Sequence, residues 1–310
     1  MNGAQSLVSS LIAGGVGTCF ANPGTSEMHF VAALDQIDGI RCVLGLQENV
    51  VTGMADGYWR MAREPACTLL HCGPGLANGM ANLHNARRAH SGILNIVGDQ
   101  ATHHRPFDAP LTSDTEGIAR AASQWVRTSM TSAAVAVDGM AALQAALAGQ
   151  VATLILPSDA SWNEGGRVAA PLPALVPVAP SPQDVENAAR VLRTGGDKVL
   201  LLLGGDAVLG EGQAMAWRIC AQTGARVMAE YGVSRVARGQ GRLPLERMPY
   251  SIEGATKALA HYDQIILVGA TTPVAFFAYP GKPSLLHAPH AQVRTLVRPD
   301  QDATSGLRAL

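Results

Sequence analysis

Apolar positions along the first 160 residues alternate between two periods, and the alternation sets out a series of helices and strands. Leu7, Val8, Leu11 and Ile12 recur at three- and four-residue spacing and predict a helix over 5–13, ended by Gly14 and Gly15. A first strand follows over 16–21, then the turn Asn22-Pro23-Gly24, then a helix to about 37 with Thr25 or Ser26 as its cap. A second strand spans 40–46. The helix over 48–62 turns Val50, Val51, Met54, Ala55, Tyr58 and Met61 inward, and Pro65 lies beyond its end. Strands at 67–71, 93–97 and 153–156 alternate with helices at 76–89 and 133–148.

Between Pro157 and Pro182 prolines replace the periodic pattern, and few residues there can hold a helix or a central strand. A second alternating series then begins. Helices are expected over 182–192, 211–223 and 252–261, and strands over 198–203, 225–229 and 264–268, with a last short helix from Ala303. Strands alternating with helices imply parallel sheets covered on both faces. The fold expected is therefore α/β, with two doubly wound parallel-sheet domains at 1–165 and 183–310 and a proline-rich linker at 166–182.

Composition narrows the classes of function. Hydrophobic residues are 47% of the 310, charged residues 15% and aromatics 5%, a profile suited to buried parallel strands. Net charge is −1 with no basic cluster, which argues against nucleic acid as a partner. The longest apolar run, near Val199–Leu203, is too short to span a bilayer, and no secretory leader is legible. Five cysteines, an odd number lying mostly in strand-like runs, read as free thiols of a reducing compartment, so a cytoplasmic location is expected.

The candidate chemistry centres on Glu48, in the run VLGLQENVV between two Gly/Pro turns, NPGTSE (Asn22 to Glu27) and HCGPGLANG (His71 to Gly79). Leu46, Val50 and Val51 are expected to desolvate this carboxylate. The plain alternative is a first-turn acid that complements the helix dipole. His71 ends a strand and can move protons near neutrality, or it can be a satisfied core histidine. Gly73-Pro74-Gly75 permits close backbone approach. It is not a dinucleotide fingerprint, because Asn78 stands where the third glycine belongs. Asn78, Asn82 and Asn85 form a polar helical stripe, expected on a polar or subunit-facing surface. No metal site is expected from the remaining histidines.

In order and wording, NPGTSE, LQE and LHCGPG resemble the pyrimidine-binding domain of thiamine-diphosphate enzymes, the acetolactate synthase and benzoylformate decarboxylase family, and the second series resembles their central, Rossmann-like domain. The resemblance implies thiamine diphosphate with Mg²⁺ as cofactor. Pro23, Gly24, Thr25, Glu48, Gly73, Pro74, Gly75 and Asn78 would lie along it. It implies Glu48 and His71 as catalytic residues, Glu48 driving the aminopyrimidine to its imino form and His71 relaying protons to bound intermediates. Thr25 aligns with a hydroxyl that contacts the substrate carboxylate in the decarboxylase branch. The implied activity is that of a 2-keto-acid enzyme, a lyase or transferase that forms or breaks C–C bonds through a thiazolium ylide, in the manner of acetolactate synthase.

The alternatives are a benzoylformate decarboxylase-like decarboxylase, or a non-catalytic binding or regulatory module. The family's Gly-Asp-Gly and paired-asparagine motif, which holds magnesium and diphosphate, does not occur in these residues. The chain alone is therefore expected to be inactive. It would need a C-terminal diphosphate-binding domain from elsewhere, within a homo-oligomer (dimer or tetramer) or from a separate chain. FAD binding is undecided. The loop over 108–117 lacks the phenylalanine usual in acetolactate synthases, and Gln124 stands near the place of a family lysine; both departures weaken a strict acetolactate synthase reading, while NPGTSE, LQE and LHC lean toward the decarboxylase branch.

Overall fold

The computed structural model describes residues 1–242 and 244–310. The chain forms two compact units, Met1–Leu175 and Val176–Leu310. Unit 1 holds β1 (Thr18–Asn22), β2 (Arg41–Leu44), β3 (Ala66–Leu70), β4 (Ile93–Asp99), β5 (Trp125–Thr128) and β6 (Val151–Pro157). Its helices are α1 (Gly3–Ala13), α2 (Met28–Gln36), α3 (Glu48–Ala62), α4 (Cys72–Arg88), α5 (Thr115–Ala122), α6 (Ser132–Leu147) and α7 (Ser158–Trp162). Among the described residues the strands make a six-stranded sheet in the order β2-β1-β3-β4-β6-β5, every pair parallel.

Both faces are covered, as parallel sheets require. One core layer joins α1, α2 and α6 to the sheet through Leu7, Leu11, Phe30, Met140, Leu94 and Leu154. The opposite layer joins α3, α4 and α5 through Val51, Ala55, Leu76, Leu83 and Ala119. The strand order reverses beside β1: β2 lies on one side of it and β3 on the other. In open α/β sheets ligands bind outside the carboxyl ends of the strands at such a switch point. The turns leaving β1, β2 and β3 carry residues 23–27, Glu48 and His71, so topology alone brings these distant segments together.

Unit 2 holds α8 (Pro182–Gly195), β7 (Val199–Leu203), α9 (Gly210–Thr223), β8 (Arg226–Ala229), α10 (Ile252–Leu259), β9 (Gln264–Val268), β10 (Gln292–Val297) and α11 (Ala303–Ala309). Its four-stranded parallel sheet has the order β10-β9-β7-β8. Both units are thus parallel-sheet α/β folds. Among the described residues no helix is long and apolar enough to cross a membrane.

Three differences from the pattern-based expectation have physical causes. Strands β5 and β10 are edge strands with mixed exposure, so they lack the apolar run that marks a central strand. Helix α4 begins at Cys72, so Gly73-Pro74-Gly75 forms its first turn rather than a loop before it. Proline is tolerated there because the first N–H groups of a helix have no partner within it. In α3 the buried residues are Val51, Thr52, Ala55 and Trp59, while Val50 and Met61 are exposed. That face is set by close packing on α4. A Cβ at Gly79 would stand 2.8 Å from the Thr52 methyl, and the Thr52 hydroxyl donates to the Gly79 carbonyl at 3.2 Å.

The beginning of unit 1 is tied to the segment that follows α7. Gly3 N–H donates to the Asn163 carbonyl, Gly166 N–H donates to the Met1 carbonyl, and Asn2 pairs with Glu164 in an antiparallel bridge. The Ser10 hydroxyl accepts from Ala169 N–H at 2.9 Å.

Candidate functional site

Glu48 opens α3, where Gln47 caps the helix by accepting from Val50 N–H at 3.2 Å. Its side chain is half-buried, and Asn78 Nδ2 donates to Oε2 at 3.0 Å. Leu46 is 87% exposed and Val50 52% exposed, so of the three expected neighbours only Val51 is buried. The collar about Glu48 is apolar but open. The stripe of asparagines divides in the same region. Asn78 and Asn82 reach across to α3, Asn82 donating to the Asn49 carbonyl and to its Oδ1, both at 2.7 Å, whereas Asn85 is exposed.

Gly75 links Glu48 to His71. A Cβ there would lie 2.9 Å from Glu48 Oε1 and 3.5 Å from the His71 Cβ, so the two side chains flank one glycine. Any larger residue would intrude between them. Gly73 plays a different part, since a side chain on it would collide with the Ser113 hydroxyl. Pro23, Thr25 and Pro74 lie on the exposed side of the two turns, and Gly24 is half-buried against the His71 ring. Neither Thr25 nor Ser26 caps the turn at Thr25–Glu27. That task falls to Glu27, whose Oε2 accepts from Gly24 N–H at 2.7 Å.

Glu27 is the residue that sequence reasoning missed. Its side chain is 1% exposed, yet its carboxylate is held by three donors. Oε2 accepts from Gly24 N–H and lies 2.8 Å from His71 Nδ1, and Oε1 accepts from the Ser26 hydroxyl at 2.6 Å. Multiple hydrogen bonds of this kind make a buried carboxylate tolerable. Room for it comes from Gly98 in β4, where a Cβ would collide with Oε1. A carboxylate on Nδ1 orients the imidazole and favours Nδ1–H, leaving Nε2 as the free acceptor. The arrangement is a carboxylate–histidine dyad whose imidazole is a quarter exposed, able to take up and return a proton. The signal that could have found it is an acid three residues after Gly24, the spacing of a capping box.

Two further groups shape the local field. Burial raises the Asp99 carboxyl at the end of β4; the Gln100 N–H and the Arg105 guanidinium pull it back, and the Glu27 charge adds to the rise. Arg105 Nη1 is paired with Asp99 Oδ2. Burial pushes the Cys72 thiol up to about 11; the Ser26 hydroxyl opposes this, and the charges of Glu27 and Asp99 add to it. Cys72 also has φ of 53°, a left-handed conformation costly for a residue with a Cβ. Such strain clusters at functional sites. At pH 7 a thiol titrating there is thiolate in only about one molecule in 10⁴. Iodoacetamide is therefore expected to leave Cys72 unmodified in the native chain at pH 7 and to modify it after unfolding, as read by peptide mass spectrometry. Rapid native labelling of Cys72 would contradict this environment.

Residues 1–118 match the family described as thiamine pyrophosphate enzyme, N-terminal TPP binding domain. The whole chain is 49% identical, over 311 aligned residues, to IlvX of Mycobacterium tuberculosis, which carries an acetolactate synthase large-subunit name, and it spans 60% of that protein's length. Over 86 residues, 28% of this chain and 16% of the relative, it is 41% identical to a benzoylformate decarboxylase of Pseudomonas aeruginosa. A solved structure from Mycobacterium smegmatis, named as a thiamin diphosphate-dependent enzyme, shares the fold with a TM-score of 0.85 at 24% identity; the match covers 100% of this chain and 62% of that one. The chain therefore spans about three fifths of the proteins that match along its full length. Residues 1–118 thus carry the N-terminal TPP binding domain of the thiamine pyrophosphate enzyme family, and the whole chain is similar to three fifths of a relative named for acetolactate synthase.

Proposed function

We propose that this chain is the pyrimidine-binding and central portion of a thiamine-diphosphate-dependent 2-keto-acid enzyme of the acetolactate synthase type. The observation that carries the reading is the Glu48 carboxylate at the switch point of the sheet, oriented by Asn78 and separated from His71 by a single glycine. Its surroundings suit half of the cofactor. Glu48 Oε1 faces the space that Gly75 leaves without a side chain, and the exposed Leu44, Leu46 and Val50 offer apolar surface for a flat ring or a second subunit. When bound, the cofactor would supply a carbon acid whose conjugate base is nucleophilic toward a keto group. Glu48 would hold a proton on a pyrimidine nitrogen. Asn78 would keep the carboxylate aimed, and Gly24 and Gly75 would keep side chains out of the ring's path.

In this reading magnesium and the diphosphate are held by a diphosphate-binding domain outside these residues, in a dimer or tetramer or on a separate chain. Units 1 and 2 would then be its pyrimidine-binding and central domains, and the proline-rich stretch at 166–182 would straddle their boundary, which falls between Leu175 and Val176. A second reading, benzoylformate decarboxylase-like, is favoured by the Glu27–His71 dyad, which can return a proton to carbon after CO₂ leaves. Calorimetry with thiamine diphosphate and Mg²⁺ tests the proposal. The chain alone is expected to bind weakly or not at all, since the motif that holds magnesium and diphosphate in the family does not occur in these residues. Addition of a diphosphate-binding partner is expected to give stoichiometric binding that Glu48→Gln weakens. Tight binding by the chain alone would overturn the division of labour, and binding indifferent to Glu48 would overturn its role.

A further inference from the structure

The polar cluster behind His71 holds a donor set that the proposed chemistry does not need. Glu27, His71 and Cys72 each present one ligand atom, and these atoms all lie within 4.8 Å of one another. The Ser26 hydroxyl stands among them. Its Oγ is 2.6 Å from Glu27 Oε1, 3.1 Å from His71 Nδ1 and 3.1 Å from Cys72 Sγ. One point in this small space is thus already near a carboxylate oxygen, an imidazole nitrogen and a sulfur. Zinc takes such donors at about 2.0–2.3 Å, in tetrahedral sites that often keep one position open. Contraction of the set by about 1 Å, with Ser26 turned aside, would meet those distances.

We infer that Glu27, His71 and Cys72 form a site for a thiophilic divalent cation of the zinc class. The mixed S, N and O donor set selects for zinc or cobalt and against magnesium, which takes oxygen ligands in an octahedron. The site is distinct from the magnesium of the proposed cofactor. Binding forms bonds from the metal to Cys72 Sγ, Glu27 carboxylate oxygen and His71 Nδ1. The thiol proton passes to solvent, the His71 proton moves from Nδ1 to Nε2, and a water fills the fourth position on the side where His71 is a quarter exposed. Two of the ligands come from adjacent residues at the start of α4, and Glu27 is locked by Gly24 N–H, so the set is largely preorganised. Occupancy would take Glu27 and His71 Nδ1 out of their mutual hydrogen bond, and metal would switch off proton transfer by the dyad. That consequence rests on the proposed role of His71; the binding itself does not.

Cobalt(II) titration of the purified chain, without cofactor or substrate, tests the site. The expected result is one equivalent of cobalt giving a sulfur-to-metal charge-transfer band and the visible bands of tetrahedral coordination, both displaced by zinc. Cys72→Ser should remove the charge-transfer band, His71→Ala and Glu27→Gln should each weaken binding by more than about tenfold, and Cys42→Ser, at an exposed thiol away from the cluster, should change nothing. Circular dichroism would verify that each variant is folded, with Cys72→Ala as a second variant if the serine perturbs the helix start. No sulfur-to-metal band in the parent chain, or a band that survives Cys72→Ser, overturns the inference. Neither result bears on Glu48 and the cofactor, so this proposal and the preceding one can fail separately.

Discussion

With the proposed diphosphate-binding partner supplied, Glu48→Gln is expected to slow exchange of the thiamine diphosphate C2 proton by about 10²–10⁴-fold, the usual span for removal of a positioned acid–base group. The amide has the same size and can still meet Asn78, so binding geometry is largely retained while the ability to hold a proton is lost. Asn78→Ala gives the graded control. It leaves the carboxylate but removes the 3.0 Å bond that aims it, and a smaller loss is expected. His71→Ala should spare C2 exchange and slow the steps on bound keto acid. Deuterium exchange at C2, followed by NMR after acid quench, separates these outcomes. If Glu48→Gln exchanges as fast as the parent, Glu48 serves only as a first-turn carboxylate facing the positive end of α3.

The largest effect on stability is expected at Glu27. Glu27→Ala removes the acceptor of Gly24 N–H, the Ser26 hydroxyl and His71 Nδ1, and it leaves a hollow beneath Gly98. Stranding buried donors in this way costs about 3 kcal/mol in all. The urea midpoint should fall with its slope unchanged, and Glu27→Gln should lie between the two because the amide restores part of the bonding. A midpoint within error of the parent would show that the dyad is an exposed ornament rather than the keystone of the turn. The variant also separates roles. Because His71 would lose its orienting partner, its proton transfer should weaken even in protein that remains folded.

The two acids show what a single sequence can and cannot reveal. Glu48 stood out because it opens a strongly periodic segment between two Gly/Pro turns, and local signals of that kind survive folding. Glu27 sits in a polar turn that reads as an ordinary helix start. Its burial comes from Gly98 and His71, residues 71 and 44 positions away, and nothing local records that meeting. The inward face of α3 was misread for a related reason. Counting apolar residues assigned Val50 and Met61 to the core, but the small residues of α4 decide which side of α3 can approach. Central strands were legible as apolar runs. Edge strands β5 and β10, wetted on part of their surface, were not.

The tie between the start of unit 1 and the segment after α7 gives the unit a closed contour. Met1 and Gly166 are hydrogen-bonded neighbours although 165 positions separate them in sequence. For such a shape it matters little where the polypeptide is opened. A few added residues could join them, and the chain could instead begin at an exposed turn elsewhere, since neighbouring termini are what make circular rearrangement tolerable. By the same reasoning the residues after α7 belong to the first unit's architecture and are not slack between two bodies. A cut at Trp162 would strip the opening turn of α1 of its partners and loosen the fold at its beginning.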